Sequence, residues 1–143
     1  RVNLVAIQRD SAGAAPLLLK YSFIDESWKA ERNGKDVSAQ LDPARANFML
    51  THLEGLKVSR WLATDDEGAL AALASPSLTF TVVEKTVDDE GDFTGVLTRA
   101  VSFAPAAPGA NPGFYYGRLD SERHPFLLDT ATYQKLAVDL FGN

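Results

Sequence analysis

The 143-residue sequence contains no cysteine, which excludes disulfides, thiolate metal sites and cysteine nucleophiles together. It has two histidines, His52 and His124, and neither stands in a metal-binding spacing such as HExxH. A GxSxG nucleophile elbow and a glycine-rich phosphate loop are also absent. These absences predict a protein without a cofactor, a metal site or a catalytic residue set, and therefore not an enzyme.

Basic residues are outnumbered, with 14 Lys and Arg against 19 Asp and Glu and a formal net charge of −5. Because phosphate binding requires clustered Lys and Arg, this balance argues against a nucleic-acid partner and against direct binding to an anionic membrane. No apolar run approaches the roughly 18 residues needed to span a bilayer. The chain begins at Arg1 rather than Met, so we expect that an N-terminal segment has been removed.

An Asp-capped helix start occurs twice, as Leu41-Asp42-Pro43-Ala44 and as Leu128-Asp129-Thr130-Ala131. In each, the Asp side chain can accept from the free amides of the first helical turn. Apolar residues then recur at helical spacing, which predicts helices over 43–54 and 130–141. A capping-box spacing at Thr64 predicts a shorter helix over 65–74.

Alternating apolar residues and turn signals predict strands over 2–8, 16–23, 27–31, 57–62, 78–85, 95–103, 114–119 and 124–128. We expect 78–85 and 95–103 to pair as a long antiparallel hairpin. The fold class predicted is α+β, with antiparallel sheet strands and two main helices packed on them. The chain forms a single domain, 1–143, with a pseudo-repeat of two strands-then-helix halves at 1–63 and 64–143.

Aromatic residues are densest at Phe114-Tyr115-Tyr116-Gly117-Arg118. Phe114, Tyr116 and Arg118 should face one way along a strand and Tyr115 the other, with at least one side packed on the core. An RNA-binding sheet would surround such aromatics with basic residues, and this chain is acidic. Tyr115, Tyr116 and Arg118 are therefore the candidate interaction surface for a protein, a peptide or a small molecule.

The acidic stretch 88–92 has some likeness to a calcium-binding loop. Its Gly91 comes too early after the first acid, and no Glu stands at the closing position. We interpret it as a solvated hairpin tip, because charge runs usually face water.

Several stretches, taken in order, resemble a known bacterial family. A Trp28-containing strand precedes Asp36-Val37, the first helix and Leu56-Lys57-Val58; then come Asp65-Asp66, an Ala- and Leu-rich helix and a Ser-Pro break into the strand at 78–83. Finally, Phe114-Tyr115-Tyr116-Gly117-Arg118-Leu119 precedes Pro125-Phe126-Leu127-Leu128 and the terminal helix. This order is similar to bacterial domain-of-unknown-function family 4340 over nearly the whole chain.

The resemblance implies an extracytoplasmic α+β region of the cell envelope, held by an N-terminal membrane anchor. It also implies a link to ABC-transporter or gliding-motility-type permease components, and it supplies no catalytic residues. We expect the anchor to belong to the missing N-terminal segment. The chain departs from the family in its long Pro/Ala/Gly loop at 104–112.

The sequence leaves three functional hypotheses open. The first is a non-enzymatic, extracytoplasmic accessory or scaffold domain that binds a protein partner, which the resemblance suggests is a membrane transporter component. The second is a small-molecule or peptide-binding module that uses the Tyr115/Tyr116/Arg118 strand and the 104–112 loop. The third is a hydrolase that uses His124 with Asp120 or Asp129.

Overall fold

The computed structural model describes residues 2–22, 24–106 and 111–141, with side chains from residue 6 onward. The described strands are β1 (Val2–Ser11), β2 (Leu17–Ser22), β3 (Ser27–Arg32), β4 (Lys35–Asp36), β5 (Arg60–Trp61), β6 (Leu78–Val87), β7 (Phe93–Pro105), β8 (Phe114–Leu119) and β9 (Phe126–Asp129). The described helices are α1 (Pro43–Glu54), α2 (Glu67–Leu73) and α3 (Thr130–Leu136), with a 3₁₀ turn at Ser38–Gln40. Of the predicted loop at 104–112, residues 104 and 105 end β7, and 107–110 lie outside the described residues.

The nine strands form one antiparallel sheet in the order β4-β3-β2-β1-β6-β7-β8-β9-β5. β1 and β6 lie side by side and are paired from Val2 with Thr86 to Ser11 with Leu78. β6 and β7 form the long hairpin that the sequence predicts. The α+β class and the antiparallel sheet are confirmed, although strands dominate the fold. The pseudo-repeat of 1–63 and 64–143 stays a prediction.

One face of the sheet, which we call the helix face, is partly covered by α1 and α3. Ala46 and Met49 of α1 and Leu136 of α3 are fully buried there. Strand side chains on this face recur with period two. Those buried in the same core are Ile7, Leu17, Leu19, Trp28, Ala30, Leu78, Phe80, Val101, Phe103, Phe126 and Leu128.

Arg9 connects the sheet to the end of α3. Its Nη1 atom donates to the carbonyl oxygens of Leu136 and Val138 at 3.1 and 2.8 Å. Burial beneath the helices lowers the pKa of Arg9 from its ordinary value. The backbone N–H of Asp42 also donates to the Leu140 carbonyl. Because these carbonyls bond outside a helical ladder, α3 ends at Leu136, and the predicted span of 130–141 is wrong at its C-terminal end.

The opposite face of the sheet, which we call the α2 face, is covered by α2 over β7 and β8. A second buried cluster lies there, formed by Leu62, Ala69, Leu73, Ala104, Tyr116 and Leu127. The N-cap of α2 is Asp66, whose side chain accepts from the Ala69 N–H at 3.0 Å. The predicted capping box at Thr64 is therefore wrong, and α2 begins at Glu67 because Asp66 supplies the cap.

Gly117 of β8 allows two aromatic rings to pack against the strand backbone. A Cβ atom at this position would lie 2.5 Å from Phe126 Cζ and 3.1 Å from Phe103 Cδ1. Those two rings meet edge to face with centroids 6.2 Å apart, in the centre of the helix-face core. No side chain larger than hydrogen fits there without displacing a ring.

Gly117→Ala is expected to lower the free energy of unfolding by about 1–3 kcal/mol, because overpacking forces a buried ring off its position. Urea denaturation measures this value. Gly95→Ala is the matched control, since its Cβ would meet only Thr86 Oγ1, at 3.2 Å. Equal stability losses in the two variants would show that the ring contact at Gly117 is not the constraint.

Asp129 and Asp42 cap α3 and α1 as the sequence predicts. The Asp129 side chain accepts from the Thr132 N–H at 2.7 Å, and Asp42 accepts from the Ala44 N–H at 3.0 Å. Hydrogen bonds from Thr132 lower the pKa of the Asp129 carboxyl from its ordinary 3.8.

Asp129→Ala should lower the free energy of unfolding by about 1 kcal/mol at neutral pH, whereas Asp129→Asn should retain most of the cap. A carboxyl whose folded-state pKa is depressed stabilises the fold above its unfolded pKa, and this stabilisation is lost as pH falls through the folded pKa. The gap between wild type and the Ala variant should therefore be complete at pH 7 and shrink below the ordinary pKa of 3.8. Thermal unfolding at several pH values measures it, and a gap that grows on acidification would contradict the assignment.

Candidate functional site

The three predicted contact residues of β8 lie on two different faces of the sheet. Tyr116 is only 2% exposed and packs beneath α2, with its hydroxyl accepting from Asn111 Nδ2 at 3.0 Å. A Cβ atom on Gly68 of α2 would come within 2.9 Å of that hydroxyl, so this glycine makes room for the tyrosine. Tyr116 is thus part of the core and presents no surface to a ligand.

Tyr115 and Arg118 also have separate surroundings. Tyr115 lies on the helix face, where its ring stacks on Tyr133 of α3 with centroids 3.6 Å apart and planes 8° from parallel. Desolvation by the surrounding chain raises the pKa of Tyr115 from its ordinary value. Arg118 lies on the α2 face and is exposed. The predicted alternation along β8 is right, but the structure does not bring the three side chains into one patch.

The titratable residues of the hydrolase hypothesis have ordinary structural contacts. His124 Nδ1 lies 2.9 Å from the Leu62 carbonyl oxygen, and its backbone N–H donates to Glu122. Asp129 is the N-cap of α3. His52, on α1, contacts the Phe48 carbonyl through Nδ1 at 2.9 Å. The described contacts therefore give neither histidine a carboxylate partner of the kind that a catalytic dyad requires.

The acidic turn between β6 and β7 is exposed, as predicted. Asp88 Oδ1 accepts from the backbone N–H groups of Glu90 and Asp92, at 3.0 and 2.9 Å. The carboxylates of Asp88, Glu90 and Asp92 can place oxygen atoms within 4.8 Å of one another. Asp88 is already engaged in closing the turn, and the structure gives the cluster no buried ligand.

A half-open cleft of about 820 Å³ lies on the helix face, between α1 and the sheet. Its floor consists of Val82, Val101, Leu119 and Phe126, which belong to β6, β7, β8 and β9. Its walls are Leu50 and Leu53 of α1, the segment after that helix with Leu56 and Val58, and Trp61. A concave space of this size, mostly apolar and with a few polar groups, is typical of a ligand site.

Trp61 forms an exposed aromatic rim to the cleft. Its ring packs edge to face on Phe126 with centroids 5.5 Å apart, yet the residue remains 51% exposed. The strand β5 that carries Trp61 is held to β9 by pairing of Arg60 with Leu127 and of Trp61 with Phe126. The rim is therefore fixed by backbone pairing rather than by the burial of its own side chain.

The polar residues that line the cleft include the exposed Glu54 of α1 and two groups that are held by other side chains. Arg99 of β7 forms an ion pair with Glu84 of β6, through both Nε and Nη2. At the other end, Asn47 Oδ1 accepts from Trp28 Nε1 at 2.7 Å, which ties α1 to β3. Asn47, Glu84 and Arg99 are therefore bonded to other side chains, and they border the apolar floor of the cleft.

The cleft was missed at the level of sequence because Leu50 and Leu53 share the helical stripe of the buried Ala46 and Met49. The structure leaves both leucines partly exposed. One signal was available: Glu84 and Arg99 continue the alternation of Val82 and Val101 on the same face. Charged residues at core-facing positions indicate where the covered part of a sheet ends.

No protein-family model, curated protein or solved structure matches this chain. The similarity to family 4340 therefore stays a prediction. Within the described ranges, every helix is too short or too polar to cross a bilayer.

Proposed function

We propose that this protein is a non-enzymatic binding module, and that the cleft beneath α1 receives an apolar side chain of a protein partner. The observation that carries the proposal is the cleft itself: about 820 Å³, half open, with an apolar floor and an aromatic rim. Such a space holds water poorly, because its floor offers no hydrogen-bonding group. An inserted aliphatic side chain would displace that water and contact Val101, Leu119 and Leu53.

Two carboxylates line the cleft, Glu84 of β6 and the exposed Glu54 of α1, and the ion pair of Glu84 supports binding rather than chemistry at that residue. Glu84 is the carboxylate of the sheet that faces the cleft, and Arg99 holds it through two N–H donors. A general base needs a free carboxylate or imidazole within reach of the substrate. Glu84 is instead held at the edge of the cleft by Arg99. This arrangement favours a ligand whose inserted part is apolar.

One anchor side chain gives only weak affinity. Burying a leucine contributes about 1.5–3 kcal/mol, which is less than the cost of holding two proteins together. The partner therefore needs further contacts outside the cleft. This requirement fits an accessory or scaffold role, in which one face docks while the rest of the chain stays exposed.

The identity of the partner is proposed from the sequence resemblance alone. We propose a component of a membrane transporter in the cell envelope, such as the ABC-transporter or gliding-motility-type permeases with which the resembling family is linked. No feature of the described fold distinguishes a transporter component from another protein partner.

The proposal is tested with N-acetyl-leucinamide as a minimal anchor, followed by ¹H–¹⁵N NMR at millimolar concentrations. Saturable shifts are expected at the Trp61 indole and at the amides of Leu53 and Val101, and none with N-acetyl-serinamide. Leu53→Gln should weaken binding about fivefold, since about 1 kcal/mol of apolar contact is lost. Leu70→Gln is the matched control, because Leu70 is 38% exposed on α2 and outside the cleft. Equal shifts with both amides would overturn the proposal.

A further inference from the structure

β7 has a long stretch with a neighbour on one side only. The strand covers Phe93–Pro105, but β8 pairs with it only from Val101, opposite Leu119, to Pro105. The last contact on this side is the Asp120 N–H, which donates to the Ala100 carbonyl at 2.9 Å. Across the described residues, no strand pairs with 93–99 on the side away from β6.

The backbone groups on this open edge belong to Val96 and Thr98. In an antiparallel ladder, successive residues direct their N–H and C=O groups alternately to either side. The Ala100 carbonyl points toward β8. The backbone N–H and C=O groups of Val96 and Thr98 therefore point to the same side of β7, where no described strand continues beyond the end of β8. Two residues with both donor and acceptor free can form one complete strand pairing.

Three of the seven residues of this edge have apolar, exposed side chains. Phe93 is 62%, Val96 55% and Leu97 45% exposed. Natural edge strands are usually protected by Pro, by outward-pointing Lys or by being very short. Residues 93–99 contain no Pro or Lys, and their single Arg99 is paired with Glu84. The ladder with β6 shifts register between Gly95 and Phe93, so the regular part of the open edge is 95–99. A short edge of this kind, with Val96 and Leu97 exposed, is suited to binding another strand.

The open edge is continuous with the cleft. Leu119, the last residue of β8, and Arg99 and Val101 of β7 all line the cleft. A strand added beside 93–99 would continue the line of β8. Its residue opposite Arg99 would point its side chain toward the helix face, at the mouth of the cleft.

Charge at the far end of the edge indicates what kind of strand fits. The acidic turn that precedes β7 holds Asp88, Glu90 and Asp92, all exposed and closely grouped. An antiparallel strand running from Arg99 toward this turn would bring its carboxyl end to those carboxylates. Lys or Arg at that end would be attracted, and Asp or Glu repelled.

We propose that the open edge of β7 binds an extended segment of a partner protein as an added antiparallel strand. The segment carries an apolar residue over the cleft and basic residues at its carboxyl end, beside the acidic turn. This inference rests on the proposed function, because it supplies the further contacts that a single anchor in the cleft requires.

A second copy of the chain is a poorer occupant of the edge. Its own strand offers Arg99 as the single cation in 93–99, and that side chain already pairs with Glu84. The chain also carries a net charge of −5, so two copies repel each other. A basic segment of a different protein can place positive charge beside the carboxylates of the acidic turn. The 93–99 strand of a second copy has no unpaired cation to place there.

The probe is a fluorescein-labelled peptide of sequence Ser-Thr-Leu-Thr-Val-Thr-Lys-Lys, amidated at its carboxyl end and titrated with the full chain by fluorescence anisotropy. A second peptide ends in Glu-Glu. A third is N-methylated at the threonines that follow Leu and Val, which removes the edge hydrogen bonds without changing the side chains. We expect the Lys peptide to bind at least about fivefold more tightly than either, with the advantage over the Glu peptide shrinking in high salt.

Two variants locate the binding on the protein. Thr98→Pro removes an edge N–H at a position where proline is tolerated, and should weaken the Lys peptide at least about fivefold. Thr98→Val retains the N–H and should bind like wild type. Circular dichroism confirms that both variants are folded, and the N-methylated peptide provides the same test on the unmodified protein.

The outcomes separate the two proposals. If Thr98→Pro abolishes binding and Leu53→Gln leaves it unchanged, the strand addition stands, but its anchor in the cleft and the cleft function both fail. If Leu53→Gln weakens binding and Thr98→Pro does not, the cleft function stands and the strand addition fails. Equal binding of the N-methylated peptide, or no binding of the Lys peptide up to about 1 mM, overturns the inference. A dimer of the wild-type chain in sedimentation that Thr98→Pro dissociates assigns the edge to a second copy and overturns the partner segment.

Discussion

The structure depends on a mismatch between the width of its sheet and the size of its helices. Nine strands at spacings of about 4.8 Å make a sheet about 38 Å wide. The longest helix, α1, has 12 residues and is about 18 Å long and 10 Å across. Two such elements cannot cover one face. The helix-face core is therefore closed around Ile7, Leu19 and Phe80, which are fully buried, and open where β6 and β7 extend past the helices.

The cleft follows from this incomplete cover, whereas the open edge arises because β8 pairs with β7 only from Val101 to Pro105. Both border the β6–β7 hairpin. On the covered side, Arg9 and Asp42 fix the end of α3 and the start of α1 through backbone carbonyls. On the uncovered side, the Glu84–Arg99 ion pair marks the border, and β7 continues with exposed Val96 and Leu97. A rigid half thus supports a half with unsatisfied apolar and backbone groups, which is the arrangement expected of a docking surface.

The sequence predicted what is decided locally. Asp42 and Asp129 were found because an N-cap is a contact within three residues, and the β6–β7 hairpin because its turn and alternation are contiguous. The end of α3 was misplaced because the carbonyl groups of Leu136 and Val138 accept hydrogen bonds from Arg9, which lies over a hundred residues away in the sequence. Tyr116 was assigned to a surface because the position of α2 above β8 is set by tertiary packing. The cleft lies between α1 and four strands; Glu84 and Arg99 indicate only where the cover of the sheet ends, and the space itself is set by tertiary packing.

The central pairing of β1 with β6 also has a consequence for biosynthesis. The two partners are separated by about the whole first half of the chain, with Ser11 opposite Leu78. While the chain emerges from the ribosome, β1 to β4 can assemble early, but β1 then presents a bare edge until β6 follows. During that interval the nascent half-sheet is the species most exposed to aggregation. The central pairing of the sheet therefore waits for the synthesis of β6, and a chaperone that covers β1 would act in that interval.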